Sequence, residues 1–304
     1  MWLIFALAGP VCWAVSTHID KYLVDRYFRE SDTAILIVFT SLLGVLTLPL
    51  IWWFHAGVFD PSWRSIAVMT VSGVMYMSAM LFYLRAIQSH EASVVAPLFQ
   101  ATTIFSFLLA YLMLGETLTW IGLGGLALIV AGVLFLSVDR SLRFGSFKTK
   151  LVVTMLACTF ILALANVLFK FYAIQDDFWT TTFWTFVGEA LFGFAILAVP
   201  HYRRQFAHLV RTNTGALLGV SGANELINLG GSLGVRYATL LAPVALVSAV
   251  SSTTTLFVFA FGTLLTLFAP HLSQEDISRG NLARKAIAAV IVTAGVLLAH
   301  GHQG

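Results

Sequence analysis

Long apolar runs separated by short polar connections dominate the pattern of hydrophobic positions along the chain. A helix needs about 20 predominantly apolar residues to cross a bilayer, and ten of the runs reach that length. The runs are continuous and do not alternate with a period of two, so the pattern argues against a transmembrane β-barrel. It predicts helices over residues 2–21, 33–54, 64–86, 92–113, 118–137, 151–172, 179–200, 214–236, 242–267 and 283–300.

The two halves of the chain resemble each other when the sequence is shifted by 149 positions. The first part of this match needs no gap, which makes it stronger than any one pair of similar residues. Beyond it, a three-residue deletion and then an insertion keep the halves in register. The matched segments include Lys21 with Lys170, Thr33 with Thr182, Gly44 with Gly193, Val71-Ser72-Gly73 with Val220-Ser221-Gly222, Ala96-Pro97 with Ala242-Pro243, and Ala131-Gly132-Val133-Leu134 with Ala294-Gly295-Val296-Leu297.

Each predicted repeat contains five helices, with residues 1–140 forming the first repeat and residues 141–304 the second. Because five is odd, the second repeat must enter the membrane upside down relative to the first. The predicted fold class is therefore an all-α integral membrane protein, with ten transmembrane helices arranged as two inverted five-helix repeats. Secondary transporters with this symmetry place a cavity at the repeat interface, near the bilayer midplane.

Composition supports a membrane protein and excludes several other classes. Of the 304 residues, 59% are hydrophobic and 10% are charged, against about 25% charged in a soluble domain. Disordered tails, secreted disulfide scaffolds and nucleic-acid-binding domains are excluded. The expected partners are the lipid bilayer and a small-molecule substrate, and the chain is expected to be a monomer or a homodimer. The first apolar run lacks a preceding basic segment and is predicted to be an uncleaved membrane helix.

No cofactor, metal site or catalytic residue is predicted. The eight histidines are scattered and have no metal-ligand spacing. Motifs such as HExxH, GxSxG, the P-loop and GxGxxG do not occur in a plausible context. Cys12 and Cys158 both lie inside apolar runs, and we interpret them as small packing residues.

The run ASVVAPLFQATTIFSFLLAYLMLGETLTWIGLGGLALIVAGVLFL, over residues 92–136, resembles the end of an EamA repeat. It has a small-residue Ala-Pro start, a Leu114-Gly115-Glu116 turn and a closing Ala-Gly-Val helix. Trp13-Ala14 resembles the aromatic-small pair of that family's first helix. The second half departs from the pattern, because Phe261-Gly262-Thr263 replaces the Leu-Gly-Glu turn.

This resemblance to the EamA type of the drug/metabolite transporter superfamily implies a ten-helix, exporter-like carrier. It does not fix the substrate, because the superfamily handles amino acids, nucleotide sugars, drugs and other metabolites. Two alternatives stay open: a membrane-embedded enzyme that modifies lipids or isoprenoids, and a membrane subunit that transports nothing. The enzyme would need convergent acid, base or metal-ligand groups in its loops, and the sequence displays none.

Ionisable residues inside the membrane are costly, so each one is a candidate functional group. Glu225 lies near the middle of predicted helix eight, and Glu189 lies near the middle of helix seven. Asn224 precedes Glu225, and Asn228 shares its helix face because it lies three residues on. Either glutamate could bind a proton or a substrate amine, or could be a protonated carboxyl that holds helices together. Glycine pairs in helix eight, Gly215 with Gly219 and Gly230 with Gly234, are predicted to let neighbouring helices approach.

Other polar residues could line the cavity. The offset pairs Thr17 with Asn166, Lys21 with Lys170 and Tyr76 with Glu225. The two lysines are interpreted either as snorkelling residues at the membrane boundary or as cations at opposite mouths of the cavity, suited to anionic groups. The remaining candidates are His18, which could titrate near neutral pH or be packed, and the helix hydroxyl and amide residues Gln100 and Ser248.

Loop charges predict the orientation of the chain. If connections alternate between the two sides, one side collects 14 of the 17 Lys and Arg residues and the other collects only Arg64, Lys170 and Arg236. By the positive-inside rule the first side is cytoplasmic, so both termini face outward from the inner membrane. The family resemblance implies the opposite, with termini inward.

Overall fold

The computed structural model describes residues 1–27, 32, 34–89, 95, 98–137, 149–212, 214–268 and 279–300. These residues form helices and contain no strand. A short 3₁₀ turn over Ala56–Phe59 is followed by the second long helix of the chain. The α-helices are α1 Trp2–Tyr27, α2 Ala34–Val45, α3 Leu48–Phe54, α4 Trp63–Ser89, α5 Ala101–Leu114, α6 Trp120–Ser137, α7 Thr149–Gln175, α8 Phe178–Ala198, α9 Pro200–Thr212, α10 Thr214–Leu241, α11 Val244–Ser251, α12 Thr254–Phe268 and α13 Arg279–His300.

Several of these helices have the length and apolar character of membrane spans, so the chain is a multi-pass membrane protein. Six spans in the described part of the chain meet both criteria, and two shorter apolar helices accompany them. The prediction of ten spans stays a prediction, because the other helices are shorter, broken or more polar. The six spans are Trp2–Leu23, Trp63–Ala86, Thr149–Gln175, Phe178–Ala198, Val244–Phe268 and Leu282–Ala299; the two shorter helices are Ala101–Leu114 and Trp120–Phe135.

Two predicted helices are each divided into two. The run 33–54 breaks between α2 and α3, where the Thr47 hydroxyl donates to the Gly44 carbonyl at 2.7 Å and Pro49 enters the first turn of α3. The run 242–267 breaks between α11 and α12, where the hydroxyls of Ser252 and Thr253 each donate to a preceding carbonyl at 2.6 Å. Pro49 lacks the amide hydrogen that would continue the helix, which explains the first break. Thr263 also donates to a preceding carbonyl inside the unbroken α12, so such a bond alone does not explain the second break.

The polar connection predicted over 201–213 is itself a helix, α9. Pro200 stands at its first position, where the missing amide proton costs nothing. Leu209 is buried in a cluster with Leu23, Ile35 and Phe39, whereas the arginines of α9 face outward. A helix with one apolar and one strongly basic face is typical of a segment that lies along a membrane surface.

The closest helix crossings join the two halves of the sequence. α1 packs on α10, α4 packs on α7 and α8, and α6 packs on α13. At the crossing of α4 and α8, a side chain at Gly73 would overlap the Thr185 carbonyl, and one at Gly188 would overlap the Thr70 carbonyl. Residues 1–140 and 141–304 are therefore interleaved, and the predicted repeat boundary falls in a segment outside the described residues.

The glycines of α10 do not all pack as predicted. Gly215, Gly219 and Gly230 have open space where a Cβ would lie. The close contacts come instead from Gly231, beside Cys12 and Gly9 of α1, and from Gly234, beside Ala8 and Phe5. Among the four glycines of the two predicted pairs, only Gly234 packs closely against a neighbouring helix, α1. The spacing could not tell which face of α10 meets α1.

Candidate functional site

A buried ion pair joins α7 to the turn that follows α5. Lys170 of α7 pairs with Glu116, and the two side chains are only 8% and 14% exposed. The same ammonium donates to the Ala242 carbonyl at 2.8 Å, and the second Glu116 oxygen accepts from the Val244 amide at 2.8 Å. We call these four residues the Lys170 cluster. It holds the start of α11, at the Ala242-Pro243 break, against a turn of the first half.

The Leu114-Gly115-Glu116 turn aims the carboxylate into this cluster. Gly115 ends α5 with φ of +67°, in the left-handed region that residues with a Cβ rarely adopt. Its amide donates to the Tyr111 carbonyl, and the Glu116 amide donates to the Ala110 carbonyl, each at 3.2 Å. The bond from Gly115 to Tyr111 is the one that defines an αL helix end. It turns the chain back so that Glu116 lies beside the membrane helices.

A second buried ion pair joins α10 to α8. Arg236 donates to Glu189 at 2.5 Å, and the two side chains are 12% and 8% exposed. The guanidinium lies over the rings of Phe186, Phe169 and Tyr76, at 4.9, 5.2 and 5.7 Å from their centroids. We call these five residues the Arg236 cluster. The paired carboxylate and the aromatic faces together stabilise a cation away from water.

Two further carboxylates meet where α10 packs on α1 and α2. Asn224 donates to Asp20 at 2.7 Å, and Thr40 donates to Glu225 at 2.8 Å. Asn228 donates to the other Glu225 oxygen at 3.4 Å, as the shared face predicted. The charge of Asp20 acts on Glu225. We call Asp20, Asn224, Glu225 and Thr40 the carboxylate cluster.

The three clusters differ in how their charges are balanced. Within the described ranges, Lys170 and Arg236 each have a carboxylate partner, whereas no salt bridge reaches Asp20 or Glu225. Tyr76 belongs to the Arg236 cluster, and the charge of Glu225, its partner in the 149-residue offset, reaches it electrostatically.

The remaining predicted residues are more dispersed. Gln100 is buried at the start of α5, and Ser248 lies 3.5 Å from the Thr103 hydroxyl. His18 lies 3.1 Å from the Val258 carbonyl, which favours the packed interpretation. Thr17 is exposed and donates to the Trp13 carbonyl of its own helix. Asn166 is half-buried on α7, one turn before Lys170.

The interpretation of Lys170 as a snorkelling or cavity-mouth cation is wrong, because its ammonium is buried and paired. Only its repeat mate Lys21 is exposed. Sequence reasoning also missed Glu116 and Arg236 as buried partners. The hydrophobic pattern predicts that the helix ends at Arg236. In the structure α10 continues to Leu241, so Arg236 lies within the helix. The sequence signal for such buried pairs is a glutamate and a basic residue that each stand beside an apolar run without an oppositely charged neighbour.

Outside the membrane helices, a surface contact closes the connection between α7 and α8. Asp177 caps α8 by accepting from the Trp179 and Thr180 amides and lies 3.1 Å from His55. Partial burial alone would raise the pKa of Asp177, but the hydrogen bonds from Thr180 and Trp179 and the charge of His55 outweigh it and lower the pKa. The described residues contain no group of three or more His, Cys, Asp or Glu side chains arranged to hold a metal.

Comparison with known proteins supports the sequence resemblance. A solved structure titled "Crystal structure of protein" is similar over 98% of this chain and 96% of its own, with a TM-score of 0.62 and 14% identity. That likeness shows the fold alone. No curated protein matches the chain. Residues 1–138 match the EamA-like transporter family, which indicates a membrane transporter of small solutes. The predicted resemblance to the EamA type of the drug/metabolite transporter superfamily is thus confirmed over residues 1–138.

Proposed function

We propose that this protein is a secondary transporter that exports a small metabolite or drug-like solute across the inner membrane by alternating access. The observation that carries the proposal is the carboxylate cluster, which lies where helices of both halves meet. α1 and α2 supply Asp20 and Thr40, and α10 supplies Asn224 and Glu225. A cluster formed by helices of both halves lies where alternating access can expose it to one side and then to the other.

Glu225 is the residue that we propose to couple transport to a proton. It lies near the centre of α10 and bonds to Thr40 and Asn228, which can serve either protonation state. A carboxylate without a cationic partner is costly at this depth, and the neighbouring charge of Asp20 adds to the cost. Coupling follows if the outward and inward conformations stabilise the charged carboxylate to different extents.

Flux into proteoliposomes, measured with and without a pH gradient, tests this proposal. Glu225→Gln keeps the shape of the side chain and removes its titration. We expect pH-driven flux to be lost while counterflow, which needs no net proton movement, survives. Gly222→Ala is the matched control, because it lies one turn away on α10 and has open space for the added methyl group.

Several outcomes would contradict the proposal. If Glu225→Gln transports with full pH dependence, Glu225 is not the coupling residue, and Glu189 becomes the next candidate. If the wild-type chain converts a lipid substrate without vectorial flux, the enzyme alternative replaces the transporter. If neither flux nor product is found, the alternative of a non-transporting subunit stands.

We also propose that the chain contains two inverted repeats, over 1–140 and 141–304, with both termini outward. Three basic residues are assigned to the outer side. Two of them, Lys170 and Arg236, are held in buried ion pairs, so of the three only Arg64 contributes to the loop charge of that side. Arg64→Cys should react with an impermeant thiol reagent from outside and Arg203→Cys only from inside, since both positions are exposed. Reaction in the opposite sense would support inward termini.

A further inference from the structure

The membrane helices hold more negative than positive charge at the proposed site. Each buried cation is already neutralised, Lys170 by Glu116 and Arg236 by Glu189. Asp20 and Glu225 accept hydrogen bonds from neutral Asn224 and Thr40, and no salt bridge reaches either carboxylate within the described residues. The two carboxylates of this site therefore lack a cation to balance their charge.

Asn224 independently indicates what kind of group would complete the site. The residue is 1% exposed, and its Nδ2 donates to Asp20. Its Oδ1 is buried and has no hydrogen-bond donor in the described part of the chain. An unpaired buried acceptor is costly, so we expect a ligand to supply a donor to it. Two carboxylates and one unpaired amide oxygen thus form a set of acceptors with neutral donors and no cationic partner among the described residues.

We propose that the carboxylate cluster binds the ammonium group of a small organic amine, and that the solute carried by this protein is cationic. This inference rests on the proposed transport function and names its substrate class. An ammonium group offers up to three donors, which matches acceptors on Asp20, Glu225 and Asn224. Both carboxylates are only partly buried, so a solute can reach them.

An anionic solute fits the same helices poorly. It would have to displace Glu189 from Arg236, or Glu116 from Lys170, and leave a carboxylate buried without its partner. It would also approach Asp20 and Glu225, whose charges repel it. In one interpretation of the sequence, Lys21 and Lys170 serve anionic groups. This does not hold for Lys170, because its ammonium already pairs with Glu116.

Ligand-induced thermal stabilisation of the full-length protein in detergent tests the charge preference. The probes are two pairs with closely related carbon skeletons and opposite charge: phenethylamine with 3-phenylpropanoate, and butylamine with butyrate. We expect a saturable rise in melting temperature with at least one amine and none with either carboxylate. Asp20→Asn and Glu225→Gln should each weaken amine binding about 10-fold or more, as loss of a charge-assisted hydrogen bond predicts. Gly222→Ala should bind as the wild type does.

A second measurement keeps the proposal testable if these variants fold poorly. A carbodiimide activates a carboxyl group, a primary amine then displaces the urea to form an amide, and mass spectrometry locates the amide. In the wild-type chain, the stabilising amine should be coupled to Asp20 or Glu225 at amine concentrations that leave Asp60 uncoupled, because Asp60 is exposed on a connection and has no site that concentrates the amine. Stabilisation by a carboxylate, stabilisation by no amine, or coupling at Asp60 equal to that at Asp20 and Glu225 would overturn the proposal. Amine binding without flux would instead contradict the transport function alone.

Discussion

Lys170 and Lys21 occupy matching positions in the two halves, yet their surroundings differ. Lys170 is buried and bound to Glu116 and to the Ala242 carbonyl. Lys21 is exposed near the end of α1. The residue that would match Glu116 is Thr263, which lies inside the continuous helix α12 and donates to the Phe259 carbonyl of that helix. The second half thus lacks both the turn and the carboxylate that make the Lys170 cluster.

This comparison indicates that positions matched by the sequence offset differ in both backbone and chemistry. The ion pair stabilises only one of the two matched positions. In the carrier that we propose, such an unequal contact would favour one of the two conformations until the pair opens.

Removing the Lys170 ammonium should have the largest effect on stability. Lys170→Met leaves Glu116 buried without a cation, which costs about 3–5 kcal/mol in similar cases. Lys21→Met should change stability by about 0.5 kcal/mol or less, because the side chain is exposed. Unfolding in mixed micelles measures both values. Equal losses for the two variants would contradict the comparison.

The double variant Glu116→Gln with Lys170→Met should recover much of that loss. It removes both charges together, so no unpaired charge stays buried. The coupling energy between the two changes, obtained from a double-mutant cycle, should be about 0.5–3 kcal/mol. An additive result would show that the pair itself contributes nothing, even if each side chain packs well.

Changing the turn without changing a charge should have an intermediate effect. Gly115→Ala forces a residue with a Cβ into the left-handed region, at a cost of about 1–2 kcal/mol. Gly124→Ala in α6 is the matched control, since nothing lies within 4 Å of the added Cβ and alanine favours a helix. If both variants melt at the wild-type temperature, the left-handed turn is not needed to position Glu116.

The surface pair near the end of α7 should contribute least. Asp177→Asn retains an oxygen that can cap α8 and removes the charge facing His55, so we expect a loss of about 0.2–1 kcal/mol. Because the pKa of Asp177 is lowered in the folded chain, its contribution is present above its ordinary pKa of 3.8 and is lost as acid protonates it. Unfolding measured at pH 7 and pH 3 should therefore differ less in Asp177→Asn than in the wild type.

The sequence predicted the all-helical membrane class and the position of most helices, because hydrophobic length depends on composition alone. It predicted the contact between Glu225 and Asn228, which are three residues apart on one helix. The pairs Glu116 with Lys170 and Glu189 with Arg236 could not be predicted, because they depend on which helix faces meet. The break before α3 was missed because Pro49 lies inside an apolar run and leaves the hydrophobic pattern unchanged, and the break at Ser252 has no signal in that pattern.

The bond from Val244 to Glu116 spans 128 positions in sequence, and this separation has a consequence for biosynthesis. The ribosome makes Glu116 first, Lys170 next and the Ala242-Pro243 break last. Glu116 therefore enters the membrane region before either of its partners exists. The start of α11 can be completed only by a residue that was inserted much earlier. A chain cut after α10 would contain both Glu116 and Lys170 but would lack the Ala242 carbonyl that accepts from the lysine and the Val244 amide that donates to the carboxylate.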